Sequence, residues 1–261
     1  MRQSKVKAKL KNKQPVVGVA LHFYDPSVYE LTSLFGFDFI WIDLEHHATS
    51  VETANNLMRA ARVGTSDIMA RPAKGEFMRL GRMLESGAQG ILYPRCESAA
   101  EAREVVKWSK FAPLGARGFD GGNCDMPYCL MEPAEYVQKA NDETWIVIQI
   151  EDPQALEQAD EIAAVEGVDV VMLGPADFSI LGGFPGQFNH PRIDEALRKL
   201  AAACDRHGKA WGTVAGTPQR VKELLDRGAR WTTCGCDLVW VLNGLKQAQT
   251  DLAAMGVGPL A

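Results

Sequence analysis

The sequence has no apolar run long enough to cross a membrane, and it has no cluster of basic residues beyond its N-terminal stretch. The other Lys and Arg residues are scattered and the formal net charge is -5, which argues against a nucleic-acid partner. The stretch MRQSKVKAKLKNKQ lacks the apolar centre of a secretory signal, so it predicts a solvated first helix. We therefore expect neither a nucleic-acid partner nor a membrane-spanning segment.

Two further patterns are missing. The six cysteines show no disulfide framework, and neither CDMPYC (Cys124, Cys129) nor CGC (Cys234, Cys236) matches a common zinc-binding spacing. Reduced thiols in a cytoplasmic protein that acts on a small-molecule substrate, as the resemblance given below implies, are therefore expected. No Gly-x-Gly-x-x-Gly follows the first strand-like run, which counts against a dinucleotide site.

Eight short apolar runs alternate with amphipathic stretches along the chain. Such near-continuous apolar runs are typical of parallel strands that are buried on both faces. They are VVGVAL (16–21), FIWIDLE (39–45), IMARP (68–72), GILYPR (90–95), WIVIQIE (145–151), VDVVMLGP (168–175), AWGTVAG (210–216) and WTTCGCDL (231–238).

Eight strand–helix units in this length predict an α/β fold, a (β/α)8 TIM barrel formed as one domain by residues 1–261. A doubly wound open sheet is the alternative. The glycine-rich segment 112–133 is the longest irregular part. It is expected either to fold over the end of the barrel where the strands finish, here called the mouth, or to form a plain surface loop.

Polar residues collect where these runs end, which in a barrel is the active-site face. Asp43, Glu45 and His46 end the second run, Arg71 the third, and Gln149 and Glu151 the fifth, while Asp177 follows the sixth in GPADFS. Taken singly, Asp177 could be a helix cap and Arg71 a surface ion pair. Several strand ends that deliver charged groups to one mouth indicate a site instead.

Two carboxylates from neighbouring strands, Glu151 and Asp177, suit a hard divalent cation. Oxygen-only ligands favour Mg²⁺ or Mn²⁺ over zinc, and Co²⁺ could substitute. His46 and His47 could be ligands instead, but adjacent residues of a strand point in opposite directions, so at most one of them faces the mouth.

Lysine is absent from all eight runs, although a Schiff-base aldolase needs one inside the barrel. Lys74, just after the third run, is the one exception to consider. Carbonyl chemistry in this chain would otherwise depend on a metal ion.

The motifs together resemble a known family, the metal-dependent pyruvate aldolases that include 4-hydroxy-2-oxoheptanedioate aldolase and 2-dehydro-3-deoxyglucarate aldolase. The resemblance extends from Pro15 to about Ala248. It rests on FDFIWIDLEH, the RP at Arg71, LESGAQGILYP, APLGARG, IVIQIE, VEGVDVVMLGPADFS and the NHP at Asn189.

This resemblance implies a (β/α)8 barrel that assembles as a homo-hexamer from dimers exchanging their C-terminal helices. It also implies reversible cleavage of a 4-hydroxy-2-oxo acid into pyruvate and an aldehyde. Glu151 and Asp177 match the family's metal-binding carboxylates, and Arg71 matches the arginine that holds the ketone oxygen. His46 matches the histidine used in proton transfer, with Asp43 and Glu45 as its acidic neighbours.

The resemblance further places Gln149 beside the metal and assigns the substrate carboxylate to backbone N–H groups in the segment Gly174, Pro175, Ala176 and Asp177. One position departs from the family pattern L-D-x-G, in which the Asp pairs with the histidine. This chain has Glu85 there, in LESG.

Two other functions remain open at this point. One is an acyl-CoA lyase of the citrate lyase β subunit and malyl-CoA lyase type, although no basic cluster suits a CoA diphosphate. The other is a non-catalytic barrel that binds an oxo acid. The apolar C-terminal stretch 237–255 is also open to two interpretations, because it could pack on its own subunit or exchange with a partner.

Overall fold

Eight parallel strands close into a barrel in the computed structural model, which describes residues 2–257. The strands are β1 (Val16–Leu21), β2 (Phe39–Asp43), β3 (Asp67–Arg71), β4 (Gly90–Tyr93), β5 (Trp145–Ile150), β6 (Val170–Leu173), β7 (Ala210–Thr213) and β8 (Trp231–Cys236). Each strand pairs with its sequence neighbours, and β8 pairs with β1. The predicted (β/α)8 barrel is confirmed, because an open doubly wound sheet would have two unpaired edges.

Helices α2 to α10 lie between consecutive strands on the outside of the barrel, whereas α1 precedes β1 and α11 follows β8. They are α1 (Lys5–Lys11), α2 (Pro26–Leu34), α3 (Val51–Ala60), α4 (Phe77–Glu85), α5 (Ala99–Ser109), α6 (Pro133–Glu143), α7 (Ala159–Ala163), α8 (Pro175–Leu181), α9 (Pro191–Arg206), α10 (Pro218–Asp226) and α11 (Asp237–Ala254). Hydroxyl caps begin several of them: Ser50, Ser98 and Thr217 each accept a backbone N–H of the first turn.

Aromatic rings fill the barrel interior, and they fit only because the residues they face are glycines, which have no side chain. Phe39 stacks on Trp231 with ring centroids 5.0 Å apart, and Trp145 meets Phe39 edge-on at 5.6 Å. A Cβ atom on Gly18 would lie 2.5 Å from the Phe39 ring, and one on Gly90 would lie 2.4 Å from the Trp145 ring. The rings therefore occupy the volume that these glycines leave free.

The opposite end of the barrel, here called the floor, is closed by α1. Val6 is fully buried with the interior residues, and Ser4 donates its hydroxyl to Asp67 at 2.5 Å. Lys9 forms an ion pair of 2.7 Å with the buried Asp38. The basic N-terminal stretch thus forms the predicted helix, but that helix closes the floor and is not merely solvated.

The segment 112–133 does not fold over the mouth of its own barrel, so that expectation is wrong within the chain. It begins near the floor, where the buried Lys110 donates to the carbonyl of Thr144, just before β5. Arg117 donates its backbone N–H to Lys110 at 2.9 Å, and its guanidinium contacts the Tyr136 hydroxyl at 3.0 Å. The reason is that α5 runs from the mouth towards the floor, so whatever follows it starts at the floor.

Beyond its first turn, helix α11 does not pack on its own barrel, which contradicts one of the two interpretations of this stretch. Asp237 is buried, and Trp240 stacks on Phe37 at 6.3 Å, but every residue from Leu238 to Val257 is exposed. Large apolar side chains are left in solvent: Leu238, Val239, Val241, Leu242, Leu245 and Leu252. Among residues 2–257, no helix combines the length and the apolarity that crossing a membrane requires.

Candidate active site

The predicted polar residues at the strand ends meet at the mouth. Asp43 ends β2 and Arg71 ends β3, and the two residues are register partners in the sheet. Gln149 lies near the end of β5, Glu151 follows it, and Asp177 stands in the first turn of α8 after β6. Parallel strands place all of these at one end of the barrel, which is why the order of the motifs along the sequence predicted a common site.

Arg71 is the centre of a buried ion-pair cluster. Its Nη2 and Nε atoms donate to the two Asp43 oxygens at 2.7 and 2.9 Å, a bidentate pair, and Nε lies 3.2 Å from Glu45 Oε2. Nη1 is 3.5 Å from Gln149 Oε1. The guanidinium also stacks on Trp41, with 4.6 Å between its carbon and the ring centroid. These contacts hold Arg71 in a single orientation at the mouth.

The two acidic neighbours of Arg71 have different electrostatics. Burial alone would raise the pKa of Asp43, but the hydrogen bonds and charge of Arg71 hold that pKa below its usual value. Burial raises the pKa of Glu45, against the opposing charge of Arg71. Asp43 is therefore the permanent counter-ion of Arg71, while Glu45 is the more easily protonated of the two.

Glu151 and Asp177 form a second group on the β5–β6 side. Gln149 Nε2 donates to Glu151 Oε1 at 2.6 Å, and the Arg95 N–H donates to Oε2 at 3.1 Å. Burial and the negative charges of Asp177 and Glu45 raise the pKa of Glu151 to about 7, although Arg71 acts in the opposite direction. The buried Glu151 and the half-buried Asp177 offer oxygen donors alone, and such donors fit a divalent metal ion of the Mg²⁺ or Mn²⁺ type.

Gly174 makes room for this carboxylate. A Cβ atom at residue 174 would lie 2.3 Å from Glu151 Oε1 and 2.6 Å from Gln149 Nε2. The same glycine precedes α8, whose first residues Pro175, Ala176 and Asp177 line the mouth. The segment GPAD thus places backbone and carboxylate beside Glu151, as the resemblance implies.

A cavity of about 710 Å³ opens at the mouth. Its inner wall is formed by Trp41, His46, Arg71, Gln149, Glu151, Gly174, Pro175, Ala176, Asp177 and Thr213. Its outer wall includes Phe188, Asn189, Thr217, Gln219, Arg220 and Glu223. No lysine is among the lining residues of the described chain. Lys74 is held at the surface by Glu97 at 2.6 Å and the Arg95 carbonyl at 2.8 Å.

The adjacent histidines diverge. His46 lines the cavity, with a side chain 55% exposed and Nε2 3.5 Å from Glu45 Oε2. His47 is directed away from the cavity, and its Nε2 lies 3.9 Å from Asp43 Oδ2. Strand β2 was predicted to continue to Glu45 but ends at Asp43, because Asp43 Oδ1 accepts the Glu45 N–H at 2.9 Å and turns the chain.

Glu85 does not meet His46 within one subunit. It is the last residue of α4, and α4 ends at the floor, whereas His46 lies at the mouth. Burial raises the pKa of Glu85, and the charged groups that act on it are Arg117, Asp120, Arg82 and Asp125, all from the floor side. The expected Glu85–His46 pair is therefore not made inside the chain.

Sequence reasoning missed several residues of the site. Trp41 stands two positions before Asp43, so strand alternation alone would have placed it on the same interior face. Arg220 and Thr217 follow β7, and the strand-end rule applied there would have assigned them to the mouth. Beside the cavity, His22 pairs with the buried Asp237 at 3.0 Å, and no local pattern in the sequence links these two residues.

Comparisons with known proteins agree with this architecture. Residues 20–244 match the family described as HpcH/HpaI aldolase/citrate lyase. A hydroxypyruvate/pyruvate aldolase of Delftia acidovorans is 32% identical over 232 residues, 89% of this chain and 86% of the relative. A 4-hydroxy-2-oxo-heptane-1,7-dioate aldolase of Escherichia coli is 32% identical over 235 residues, 90% of this chain and 89% of the relative.

Solved structures give the same result. The crystal structure of an HpcH/HpaI aldolase from Desulfitobacterium hafniense superimposes with a TM-score of 0.87 at 32% identity, covering 93% of this chain and 96% of that one. The fold and the similar proteins agree. The chain belongs to the HpcH/HpaI aldolase/citrate lyase family and is an aldolase-type lyase.

Proposed function

We propose that this enzyme reversibly cleaves a 4-hydroxy-2-oxo acid into pyruvate and an aldehyde, with a divalent metal ion at Glu151 and Asp177. The observation that carries the proposal is the arrangement of the cavity. A fixed guanidinium, Arg71, and a carboxylate pair face the same cavity, and the described wall has no lysine for a Schiff base. The names of the two curated relatives support the substrate class.

The metal ion, when bound, supplies a Lewis acid for the oxygen on which negative charge develops as the carbon–carbon bond breaks. Glu151 and Asp177 would hold it, with Gln149 orienting Glu151. Arg71 donates to the ketone oxygen of the oxo acid and stabilises the enolate that remains when the aldehyde leaves. Because Asp43 fixes Arg71 before substrate arrives, this stabilisation costs little reorganisation.

The other mouth residues bind substrate and move a proton. The backbone N–H groups of Ala176 and Asp177 receive the substrate carboxylate, and Gly174 and Pro175 shape the approach. His46 lies free enough in the cavity to take the proton of the 4-hydroxyl, directly or through a water molecule, and Glu45 is its nearest carboxylate at 3.5 Å.

A chelation experiment tests this function. Treatment with a chelator should abolish pyruvate release from a 4-hydroxy-2-oxo acid, and Mg²⁺, Mn²⁺ or Co²⁺ should restore it. Borohydride added together with pyruvate should leave the enzyme active. Covalent trapping of pyruvate on Lys74, or full activity after exhaustive chelation, would contradict the proposal.

The assembly proposed is a homo-hexamer in which α11 is exchanged between subunits. One support is the set of apolar residues that α11 leaves exposed. The other is a second exposed apolar surface at the end of α2, formed by Leu31, Leu34 and Phe35. A partner's α11 could cover such a surface. Assembly would also allow Glu85 of one subunit to approach His46 of another, which a single barrel forbids.

A cytoplasmic location is part of the same proposal. All six cysteines are free, as expected for a reducing compartment.

A further inference from the structure

The turn that follows β4 contains a left-handed residue next to the carboxylate pair. Arg95 has a φ angle of 50°. Glycine and asparagine adopt this conformation readily, whereas a residue with a bulky side chain rarely does. The Arg95 side chain is exposed, so its own packing does not impose the conformation. Contacts of the Arg95 backbone must therefore hold it.

The left-handed turn directs two successive N–H groups to the same side. The Arg95 N–H donates to Glu151 Oε2 at 3.1 Å, and the Cys96 N–H donates to the Gln149 carbonyl at 3.0 Å. In an extended strand, successive N–H groups point to opposite sides. Because Arg95 departs from the extended conformation, the end of β4 binds both the backbone of β5 and the carboxylate that follows it.

Glu151 is consequently held at both of its carboxylate oxygens. Gln149 Nε2 donates to Oε1 at 2.6 Å, and the Arg95 N–H occupies Oε2. One donor on each oxygen fixes the plane of the carboxylate and leaves each oxygen a second lone pair for an ion. Hydrogen bonds of this kind orient metal ligands, and their loss typically weakens metal binding.

Lys74, in the segment after β3, holds the carbonyl of the same left-handed residue. Its Nζ atom donates to the Arg95 carbonyl at 2.8 Å and forms an ion pair of 2.6 Å with Glu97. The segment that carries Lys74 is itself attached to β4, because the Gly75 N–H donates to the Tyr93 hydroxyl at 3.0 Å. Lys74 thus connects the segments that follow β3 and β4, and it does so at Arg95.

We propose that Lys74 is a positioning residue of the metal site, which holds the left-handed turn at Arg95 so that the Arg95 N–H keeps Glu151 oriented for the ion. The inference rests on the proposed function, since it takes Glu151 as a metal ligand. In this role Lys74 contacts neither the substrate nor the ion. The amine that might have suggested a Schiff base serves instead as a hydrogen-bond donor to the backbone.

Calorimetric titration of the full chain with Mn²⁺, in the absence of substrate, tests this role. K74M should bind Mn²⁺ about tenfold more weakly than the unmodified chain. Loss of a nearby positive charge acts in the opposite direction, because it would strengthen the binding of a cation, so the sign of the change separates the two effects. K139M is the matched control, because Lys139 pairs with Glu135 at 2.6 Å on an exposed helix face and should leave the Mn²⁺ affinity unchanged.

Substitutions of Arg95 test the backbone conformation directly. R95N and R95V both remove the guanidinium, but asparagine enters the left-handed region readily and a β-branched residue does not. R95N should therefore keep the Mn²⁺ affinity, whereas R95V should lose about tenfold. The double variant K74M/R95N should recover most of the affinity that K74M loses. If K74M does not fold, the comparison of R95N with R95V decides the question alone.

Three results would overturn the inference. If K74M or R95V binds Mn²⁺ as tightly as the unmodified chain, Lys74 does not position the site, although the proposed function stands. If K74M/R95N binds as weakly as K74M, the defect does not pass through the turn at Arg95. If the unmodified chain binds no Mn²⁺, both the inference and the proposed metal site are wrong.

Discussion

Arg71 shows how one side chain combines several constraints. It is bidentate to Asp43, lies against Glu45 and stacks on Trp41, and each of these contacts uses the planar guanidinium. Its fixed direction, and not its charge alone, is what the proposed enolate stabilisation requires.

R71K should therefore lose roughly a hundredfold or more in kcat for cleavage, the range seen when one fixed donor to a developing anion is removed. A lysine ammonium keeps the charge but cannot hold Asp43 in a bidentate pair. Steady-state kinetics and Mn²⁺ titration of the same sample measure rate and metal binding separately, and metal binding should be kept. R206K, on the exposed face of α9, is the control. A near-normal rate in R71K would contradict the role of Arg71.

Glu151 predicts a pH dependence of metal binding. With its pKa raised to about 7 in the metal-free protein, this carboxyl is mostly protonated at pH 6 and mostly ionised at pH 8. The cation must displace the proton at the lower pH, so Mn²⁺ affinity should be about tenfold weaker at pH 6 than at pH 8.

Calorimetric titration in buffers of different ionisation enthalpy measures that proton release. E52Q, which alters an exposed carboxylate of α3, should follow the same profile as the unmodified enzyme. If the Mn²⁺ affinity did not change across this pH range, Glu151 would already be ionised without the metal.

At the scale of elements, the strands were largely predictable from the sequence and their ends were not. Apolar runs located β1, β2, β4, β5, β7 and β8 at their first residues. The predicted end of β1 at Leu21 is correct, but the other seven ends ran too far, because polar residues such as Glu45 continue the alternation of the strand while the chain has already turned. Strand β8 stops at Cys236 because Asp237 begins α11.

The surroundings of α11 could not be predicted, because an apolar helix face has the same pattern whichever chain it packs on.

The proposed exchange makes a specific prediction for this helix. The double variant L242D/L245D should dissociate the assembly. Each leucine, once buried against a partner, would contribute roughly 1.5–3 kcal/mol to the free energy of association, and burying a carboxylate there would cost more.

Sedimentation velocity at micromolar concentration measures the outcome. Q249D, which adds one charge to the same exposed helix, should sediment as the unmodified protein does. An unmodified chain that is monomeric at this concentration, or a double variant that still forms the full assembly, would contradict helix exchange.

At the scale of the whole molecule, the sequence predicted which side chains share the mouth but not how Glu85 relates to it. Residues at or close to the ends of the strands of one barrel meet at its mouth, and these are Asp43, Arg71, Gln149, Glu151 and Asp177. Glu85 lies at the floor of the same barrel, and sequence motifs alone do not say from which subunit a residue reaches a site.

Subunit complementation tests whether Glu85 acts across an interface. H46A and E85A should each be nearly inactive. Random co-assembly in equal amounts should restore about a quarter of the sites, because each site would draw His46 from one subunit and Glu85 from another. Activity measured after joint refolding of the two variants gives this fraction. Full activity of E85A alone would show that Glu85 has no role in catalysis. If the mixture recovers no activity, His46 and Glu85 do not act together across a subunit interface.

The glycines of the barrel interior have an evolutionary consequence. Gly90 and Trp145 share one volume, since a methyl group at residue 90 would lie 2.4 Å from the indole. Neither residue is free to drift alone: a larger residue at 90 collides with the ring, and a smaller one at 145 leaves a void in the packing. Among descendants of this sequence, the two positions should change as a pair, with the ring shrinking before the glycine gains a side chain.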